Sequence, residues 1–240
     1  MQGYSVNCSV NIHDVDFNGV AKTSAILRYI QTAAQGQLNG VGMSYDELKE
    51  RGRAFLLSRM KLEVLRPLRA YTPLVASSFA CQSRGYSFLR CYTLESDGEI
   101  VARAISAWAL TDISTRSLVR VGDFDLPVPI NPLPDMSISH FKLPSALIDV
   151  GGYGVHYGDV DQNRHMNNTK YPDMYSSYLP LENKMIRSIS INYATEAAMG
   201  ERLRVQRAEM DGFYYFRTVR ADGRINSEAE IELADIRSLH

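Results

Sequence analysis

Asp14-Val15-Asp16-Phe17-Asn18 returns as Asp159-Val160-Asp161-Gln162-Asn163, an offset of 145 (159 minus 14) in a chain of 240 residues. Gly85-Tyr86-Ser87-Phe88-Leu89-Arg90 is echoed by Gly212-Phe213-Tyr214-Tyr215-Phe216-Arg217 at an offset of 127 (212 minus 85), and Asp97-Gly98 by Asp222-Gly223 at 125 (222 minus 97). The order is kept while the offset shrinks, so the second copy is shorter in its middle. An internal repeat of this size means that one structural unit is built twice, and any fold assigned to the chain must accommodate that.

Each copy carries the same run of elements. After the first Asp-Val-Asp phrase, residues 23–40 place Ile26, Ile30, Ala33, Ala34 and Leu38 at helical spacing, with Thr23 or Ser24 as cap and Gly40 as stop. After the second, Asn167 or Asn168 caps a helix with Pro172 in its first turns and Tyr171, Met174, Tyr175 and Tyr178 on one face. A short extra helix in the first copy opens on the capping box Ser44-x-x-Glu47 and stops at Gly52, which accounts for most of the length difference. Strand patterns follow at 55–65, 74–84, 87–95 and 100–112, then at 185–193, 202–210, 213–220 and 225–235, with turns at Gly85, Asp97-Gly98, Gly212 and Asp222-Gly223. Residues 122–137 hold four prolines and no periodicity and read as an extended linker. The expectation is an α+β fold in two like domains, 1–121 and 145–240, joined by a linker over 122–144. In each, one helix covers the concave face of an antiparallel sheet.

Bulk composition removes several function classes. With 26 basic against 27 acidic residues, the net charge of −1 provides no field for nucleic acid or an anionic membrane. No apolar run approaches the roughly 20 residues of a membrane span. The first residues lack the basic and apolar regions of a signal peptide. Cys8, Cys81 and Cys91 are odd in number and have no C-x-x-C spacing, so the expectation is idle thiols in a reducing cytoplasm and no zinc.

Residues 159–168, DVDQNRHMNN, concentrate the chemistry. They are not a calcium loop: position twelve, a glutamate in EF-hands, is Ala25 in the first copy and Lys170 in the second. Asp161 and His165 could supply two ligands to a transition metal, but only His156 lies near and no H-x-x-x-H joins them, so no metal or cofactor is expected. Asp and Asn are also ordinary turn residues, which is all the first copy needs. The second copy differs by putting His165 where the first has Val20, just before a helix start and among carboxylates that favour its charged form. Such a group suits hydrolysis of an activated acyl bond, with helix-start amides at the oxyanion and a side chain taking a proton from water. G-x-S-x-G is absent, so water is the expected nucleophile.

The run from Asp159 to Tyr171 resembles the signature of acyl-acyl carrier protein thioesterases of the plant plastid and bacterial type. Residues 17–34 and 108–118 are similar to the amino-terminal segments of that family, so the resemblance covers nearly the whole chain. It implies two tandem hotdog domains, each a long helix wrapped by a curved antiparallel sheet, with one site in the carboxy-terminal domain. It implies catalytic roles for Asp161, Asn163 and His165, and for Glu196, because Tyr193-Ala194-Thr195-Glu196-Ala197-Ala198 stands where the family has Y-R-R-E-C-G. The family's cysteine is Ala197 here, so no thiol nucleophile is available and the reaction must run through water. The partner implied is acyl carrier protein bearing a fatty acyl chain, with no nucleic acid and no membrane; a homodimer is left open.

Aligning residues 60–68 with 189–197 sets Pro67 opposite Glu196, so the first copy lacks counterparts of both His165 and Glu196 while keeping Asp16 and Asn18. The expected scheme has Glu196 and His165 holding and deprotonating water, Asp161 orienting His165, Asn163 fixing water or carbonyl, and amides near Asn167 and Asn168 facing the oxyanion. The first domain is expected to shape the acyl cavity, with Ile26, Leu27, Tyr29, Ile30, Met43 and Phe55 as candidate lining. Arg51, Arg53, Arg59, Lys61, Arg66 and Arg69 are a candidate landing strip for an acidic carrier. Alternatives are an acyl-CoA thioesterase, an enoyl-thioester hydratase using Asp161 and His165, and a non-enzymatic acyl-thioester sensor.

Overall fold

In a computed structural model describing residues 1–138 and 140–238, the two copies form one continuous antiparallel sheet. The first copy contributes β1 (Tyr4–Ser9), β2 (Arg53–Val64), β3 (Pro73–Arg84), β4 (Ser87–Ser96), β5 (Glu99–Asp112) and the short β6 (Leu118–Val119). The linker contributes β7 (Ile130–Asn131), and the second copy β8 (Ile148–Gly154), β9 (Lys184–Tyr193), β10 (Arg202–Met210), β11 (Phe213–Val219) and β12 (Ile225–Asp235). Their order is β1-β3-β4-β5-β2-β9-β12-β11-β10-β8, so β2 and β9 join the halves edge to edge. Every strand expected from the sequence is present within two residues of its expected ends. The outermost strands, β1 and β8, were not expected; β8 has three glycines in seven residues, which hide a strand signal. Gly151 is there for space, since a Cβ would lie 2.9 Å from the Tyr178 ring.

The repeat is exact in its hydrogen bonds. Ala21 N–H donates to Leu68 O at 2.8 Å, and Met166 N–H to Ala197 O at 2.8 Å. Bridges Val15–Ala21 and Val20–Arg69 recur as Val160–Met166 and His165–Ala198. The loop offset is therefore 145 and the β2/β9 offset 129 (197 minus 68), which confirms Pro67 as the counterpart of Glu196. Lys61 pairs with Ser190, its own counterpart (190 minus 61 is 129), so an internal two-fold axis passes through that rung.

The echo between 85–90 and 212–217, by contrast, is out of register. Met60 leads through Ser106 to Arg90, whereas its counterpart Ile189 leads through Ile231 to Tyr214. Arg90 is thus matched by Tyr214 and not by Arg217.

α1 (Thr23–Asn39) buries Ile26, Leu27, Ile30, Ala33 and Ala34 against the first sheet. Its cap is Lys22 and not Thr23 or Ser24, because Lys22 N–H is held by Asp14 O at 2.9 Å and the helix must begin at the next residue. α2 (Tyr45–Glu50) has the expected capping box between Ser44 and Glu47. α3 (Tyr171–Ser176) is preceded by a 3-10 turn at Asn168–Lys170, with Thr169 N–H donating to the Asn167 side chain at 3.0 Å. This second helix is short where a long one was expected. Pro180 disfavours helical backbone at Leu179, so the chain cannot continue the turn.

The segment expected to be a linker is docked on the first copy. Asn131 donates to Gln2 O and Ala80 O, and Met136 and Ile138 pack with Cys81, Cys91 and Ile105 on a second small core. Ser139 of the linker and residues 239–240 lie outside the described residues. Cys8, Cys81 and Cys91 are unpaired.

The first loop is held by a buried carboxylate. Asp14 accepts from Tyr29 Oη at 2.7 Å, Arg28 Nη2 at 2.7 Å and Asn11 Nδ2 at 3.0 Å. Burial by itself raises its pKa, but these donors outweigh burial and hold the carboxyl below its ordinary range. A carboxyl so depressed contributes stability above its unfolded pKa and loses it as pH falls through the folded one. Asp14→Asn is expected to cost about 1–3 kcal/mol at neutral pH. In urea melts the gap to wild type should close as pH drops below the ordinary carboxylate range; a gap that stays constant would mean the charge is not what matters.

Candidate active site

The 159–168 loop and the end of β9 are brought together by two main-chain contacts. Met166 N–H on Ala197 O and the His165–Ala198 bridge lay the loop beside residues 196–198. The β9 end is fixed in turn by β12: Ala194 and Thr195 N–H donate to the carbonyl of buried Asn226 at 2.9 and 3.0 Å, and the Thr195 hydroxyl to Ile225 O at 2.8 Å. Arg164 adopts φ +63°, as Gly19 does at +70° in the first copy, so the turn geometry has been kept without glycine.

This brings His165 Nδ1 to 3.0 Å from Glu196 Oε2. The approach lacks the angle of a ring N–H bond, so Nδ1 is buried, beside a carboxylate, and without a hydrogen bond. Among the described residues Nε2 has no hydrogen-bond partner, and His165 lines the cavity described below. The side chains of His165 and Glu196 are 37% and 58% exposed, so water reaches both.

Asp161 and Asn163 behave differently. Asp161 Oδ1 accepts from Asn163 N–H at 2.8 Å and Oδ2 from Asn167 Nδ2 at 3.3 Å. The His165 ring is not among its partners within the described residues, so Asp161 shapes the loop that carries His165 instead of gripping the ring. Asn163 Oδ1 accepts from Tyr45 Oη at 2.5 Å, a bond across 118 residues that brings α2 of the first copy to the site. Among the described residues Nδ2 of Asn163 has no acceptor. Tyr45 could not be found from the sequence, since only the fold brings α2 to this loop. Of the amides expected to face the oxyanion, Asn167 N–H is taken by Asp159 O at 2.8 Å and Thr169 N–H donates to the Asn167 side chain, whereas Asn168 N–H has no acceptor among the described residues.

A cavity of about 940 Å³ opens at this cluster, with Asn163, His165 and Glu196 in its lining, and runs into the first copy. Ala34, Leu38, Phe55, Phe88, Trp108 and Phe124 make it largely apolar. Of the residues expected to line it, Met43 and Phe55 do. Ile26, Leu27 and Ile30 are sealed in the core, and Tyr29 is bound to Asp14, because the helix face they occupy points at the sheet's centre. Five of the six expected landing cations are engaged within the chain, and the Arg59 side chain has no partner among the described residues. Arg53 pairs with Asp112, Lys61 with Glu63, and Arg66 with Asp97 and Glu99, while Arg51 and Arg69 donate to the carbonyls of Gly42 and Asn18.

Two helix-backed sheets fused through one ladder, with a polar cluster from one at the mouth of an apolar cavity in the other, define a tandem hotdog protein. Residues 2–125 match the family described as acyl-ACP thioesterase N-terminal domain and residues 148–235 its C-terminal domain. The chain belongs to the acyl-ACP thioesterase family. It is 25% identical over 218 residues to oleoyl-acyl carrier protein thioesterase 2 of Arabidopsis thaliana, a chloroplastic protein, covering 80% of this chain and 59% of that one. It spans about half to three fifths of the length of such curated relatives. Its fold is similar to an acyl-ACP thioesterase from Bacteroides thetaiotaomicron (TM-score 0.80, 19% identity, 96% of this chain and 97% of that one). The 12:0-ACP thioesterase from Umbellularia californica is equally similar (TM-score 0.81, 20% identity, 97% of each).

The two loops differ in what their asparagines hold. Asn18 donates to Leu181 O at 2.7 Å and Lys184 O at 3.1 Å, and accepts from Asn183 N–H at 3.1 Å, clamping the α3–β9 connection of the other copy. Asn18→Ala should therefore cost about 1–3 kcal/mol, whereas Asn163→Ala, with one exposed bond, should stay within about 0.5 kcal/mol. Equal shifts in denaturation midpoint would contradict this division.

Proposed function

We propose that the chain hydrolyses the thioester of fatty acyl-acyl carrier protein, giving free fatty acid and holo-carrier and so ending fatty acid synthesis. The observation that carries the reading is the His165–Glu196 pair, 3.0 Å apart at the mouth of an apolar cavity deep enough for an acyl chain. Family membership supports the same chemistry. The carboxy-terminal copy is catalytic and the amino-terminal copy houses the acyl chain.

In this scheme water is held by His165 Nε2 and attacks the thioester carbon while the imidazole takes its proton. Glu196, beside Nδ1, stabilises the imidazolium that forms. Asn163, its Oδ1 engaged by Tyr45, donates Nδ2–H to the carbonyl oxygen as that oxygen gains charge. The tetrahedral intermediate then expels the carrier's thiolate, which recovers the proton from His165. Asp161 acts at one remove, through the turn that presents Asn163 and His165. The hydratase alternative needs Asp161 and His165 to act as a pair, and the engagement of Asp161 with Asn163 and Asn167 gives it no support. We further propose a cytoplasmic setting, where thiols such as Cys8, Cys81 and Cys91 stay reduced.

Thiol release from a series of acyl-acyl carrier proteins, octanoyl to stearoyl, tests the reading. His165→Ala should lower kcat/KM by about 10²–10⁴, and Glu196→Gln by at least tenfold at unchanged fold. Tyr45→Phe should lose about tenfold, equivalent to about 1.4 kcal/mol, in kcat more than in KM. Full activity of Glu196→Gln would remove that residue from the scheme. No thiol release from any carrier-bound chain, or hydration of a trans-2-enoyl thioester without thiol release, would overturn the function itself.

A further inference from the structure

Arg90 lies inside the first copy with no counter-ion. It is 7% exposed and sits on the face of β4 turned towards α1, between Phe88 and Tyr92. Its Nη1 donates to Gln37 Oε1 of α1 at 2.6 Å and to Ser78 Oγ of β3 at 2.8 Å. Among the described residues no carboxylate pairs with it. Among the described residues its Nε and Nη2 have no acceptor, and they are not among the sealed, unpartnered side-chain atoms, which there are Ser24 Oγ and His165 Nδ1. Arg90 lines the acyl cavity, so those N–H groups open into it. Burial pushes its pKa down, but a guanidinium remains charged.

The second copy does not repeat this arginine. The counterpart reached through the same rungs of the second sheet is Tyr214. Nor does it belong to the catalytic cluster. From β9, whose end carries Glu196, the sheet runs through β2 and β5 to β4, three strand spacings or about 14 Å. Trp108 pairs with Leu57 on one side and Phe88 on the other, and Arg90 lines the same cavity one same-face position further along β4 than Phe88.

We propose that Arg90 is a specificity-determining floor: it disfavours plain alkyl chains long enough to reach it, and it takes acyl chains that carry a hydrogen-bond acceptor at their far end. The proposal rests on the thioesterase reading for its substrate class. An alkyl terminus pressed on the guanidinium strips water from charged donors and offers nothing in return, whereas a terminal oxygen replaces that water. A site built to bond such an oxygen rejects the analogue lacking it far more strongly than an apolar pocket distinguishes one methylene from none.

The test compares plain fatty acids, octanoic to stearic, with their terminally hydroxylated counterparts. Each displaces a fluorescent fatty acid from the intact protein, and the same chains are assayed as carrier thioesters. Wild type should bind short members of the two series alike. At the length that reaches Arg90, the hydroxylated chain should bind at least tenfold tighter. Arg90→Met, with melting behaviour like wild type, should erase that preference and extend hydrolysis to longer plain chains. Should that variant not fold, Arg90→Gln and the wild-type comparison still decide. Parity at every length in wild type, failure of both series to displace the probe, or a preference that survives removal of the guanidinium would overturn the proposal. If the preference in binding holds while no thioester is cleaved, the assignment of Arg90 stands and the hydrolase reading falls.

Discussion

The rung between Lys61 and Ser190 is the constraint on which the rest depends. Each is the other's counterpart in the repeat, so their pairing turns two similar sheets into one and sets a two-fold axis between them. Unpaired sheet edges are open to association with any other strand. Pairing β2 with β9 closes one edge of each copy by means of the other. It also fixes the distance between the copies to one strand spacing, so the end of β9 arrives beside the start of β2 and a site can draw on both.

Symmetry at that axis makes the departures from it informative. Both loops keep the same backbone bonds: residue 16 to 20 and 161 to 165, residue 22 to 14 and 167 to 159. Both keep an aspartate that accepts from the asparagine N–H two residues on, at 2.8 Å in each case. What changes is the direction of the asparagine side chain's work. Asn18 fastens three backbone groups of the opposite copy, while Asn163 meets a single hydroxyl of the opposite copy and retains free donors. One loop is a clamp and the other is a presented surface, although the backbone beneath them is the same.

Most strands could be read from the residues because alternation of apolar and polar side chains is imposed locally, within each strand, by the pleat. The edge strands β1 and β8 could not, since one is short and the other is rich in glycine, and neither has two neighbours to impose a pattern. The end of α3 was written in Pro180, but the start of α1 depended on a bond from Lys22 to Asp14 that no propensity encodes. Similar-looking segments also mislead when a register is at stake: 85–90 and 212–217 look alike, yet the rungs of the sheet set Arg90 against Tyr214. That Glu196 and His165 belong together in the candidate site could be read from the family run and the repeat, and their side chains do meet. Tyr45 and the free face of Arg90 were not, because each is defined by a partner from a distant segment.

Unmet polar atoms trace the same division of labour. A folded chain satisfies nearly all its buried donors and acceptors, and those it leaves open demand a reason. In the first loop the Asn18 side-chain oxygen and amide are both engaged in holding backbone of the opposite copy, and Asp16 Oδ1 holds backbone of its own turn. In the second, His165 Nδ1 is buried without a hydrogen bond, and Asn163 Nδ2 has no acceptor among the described residues. The ladder below these groups is intact, and Met166 and Ala197 bond there as Ala21 and Leu68 do in the first copy. A repeat allows this arrangement because the backbone geometry does not rely on the side chains that chemistry removes from structural duty. On the proposed function, the copy that keeps those side chains tied holds the pair together, and the copy that releases them is free to react.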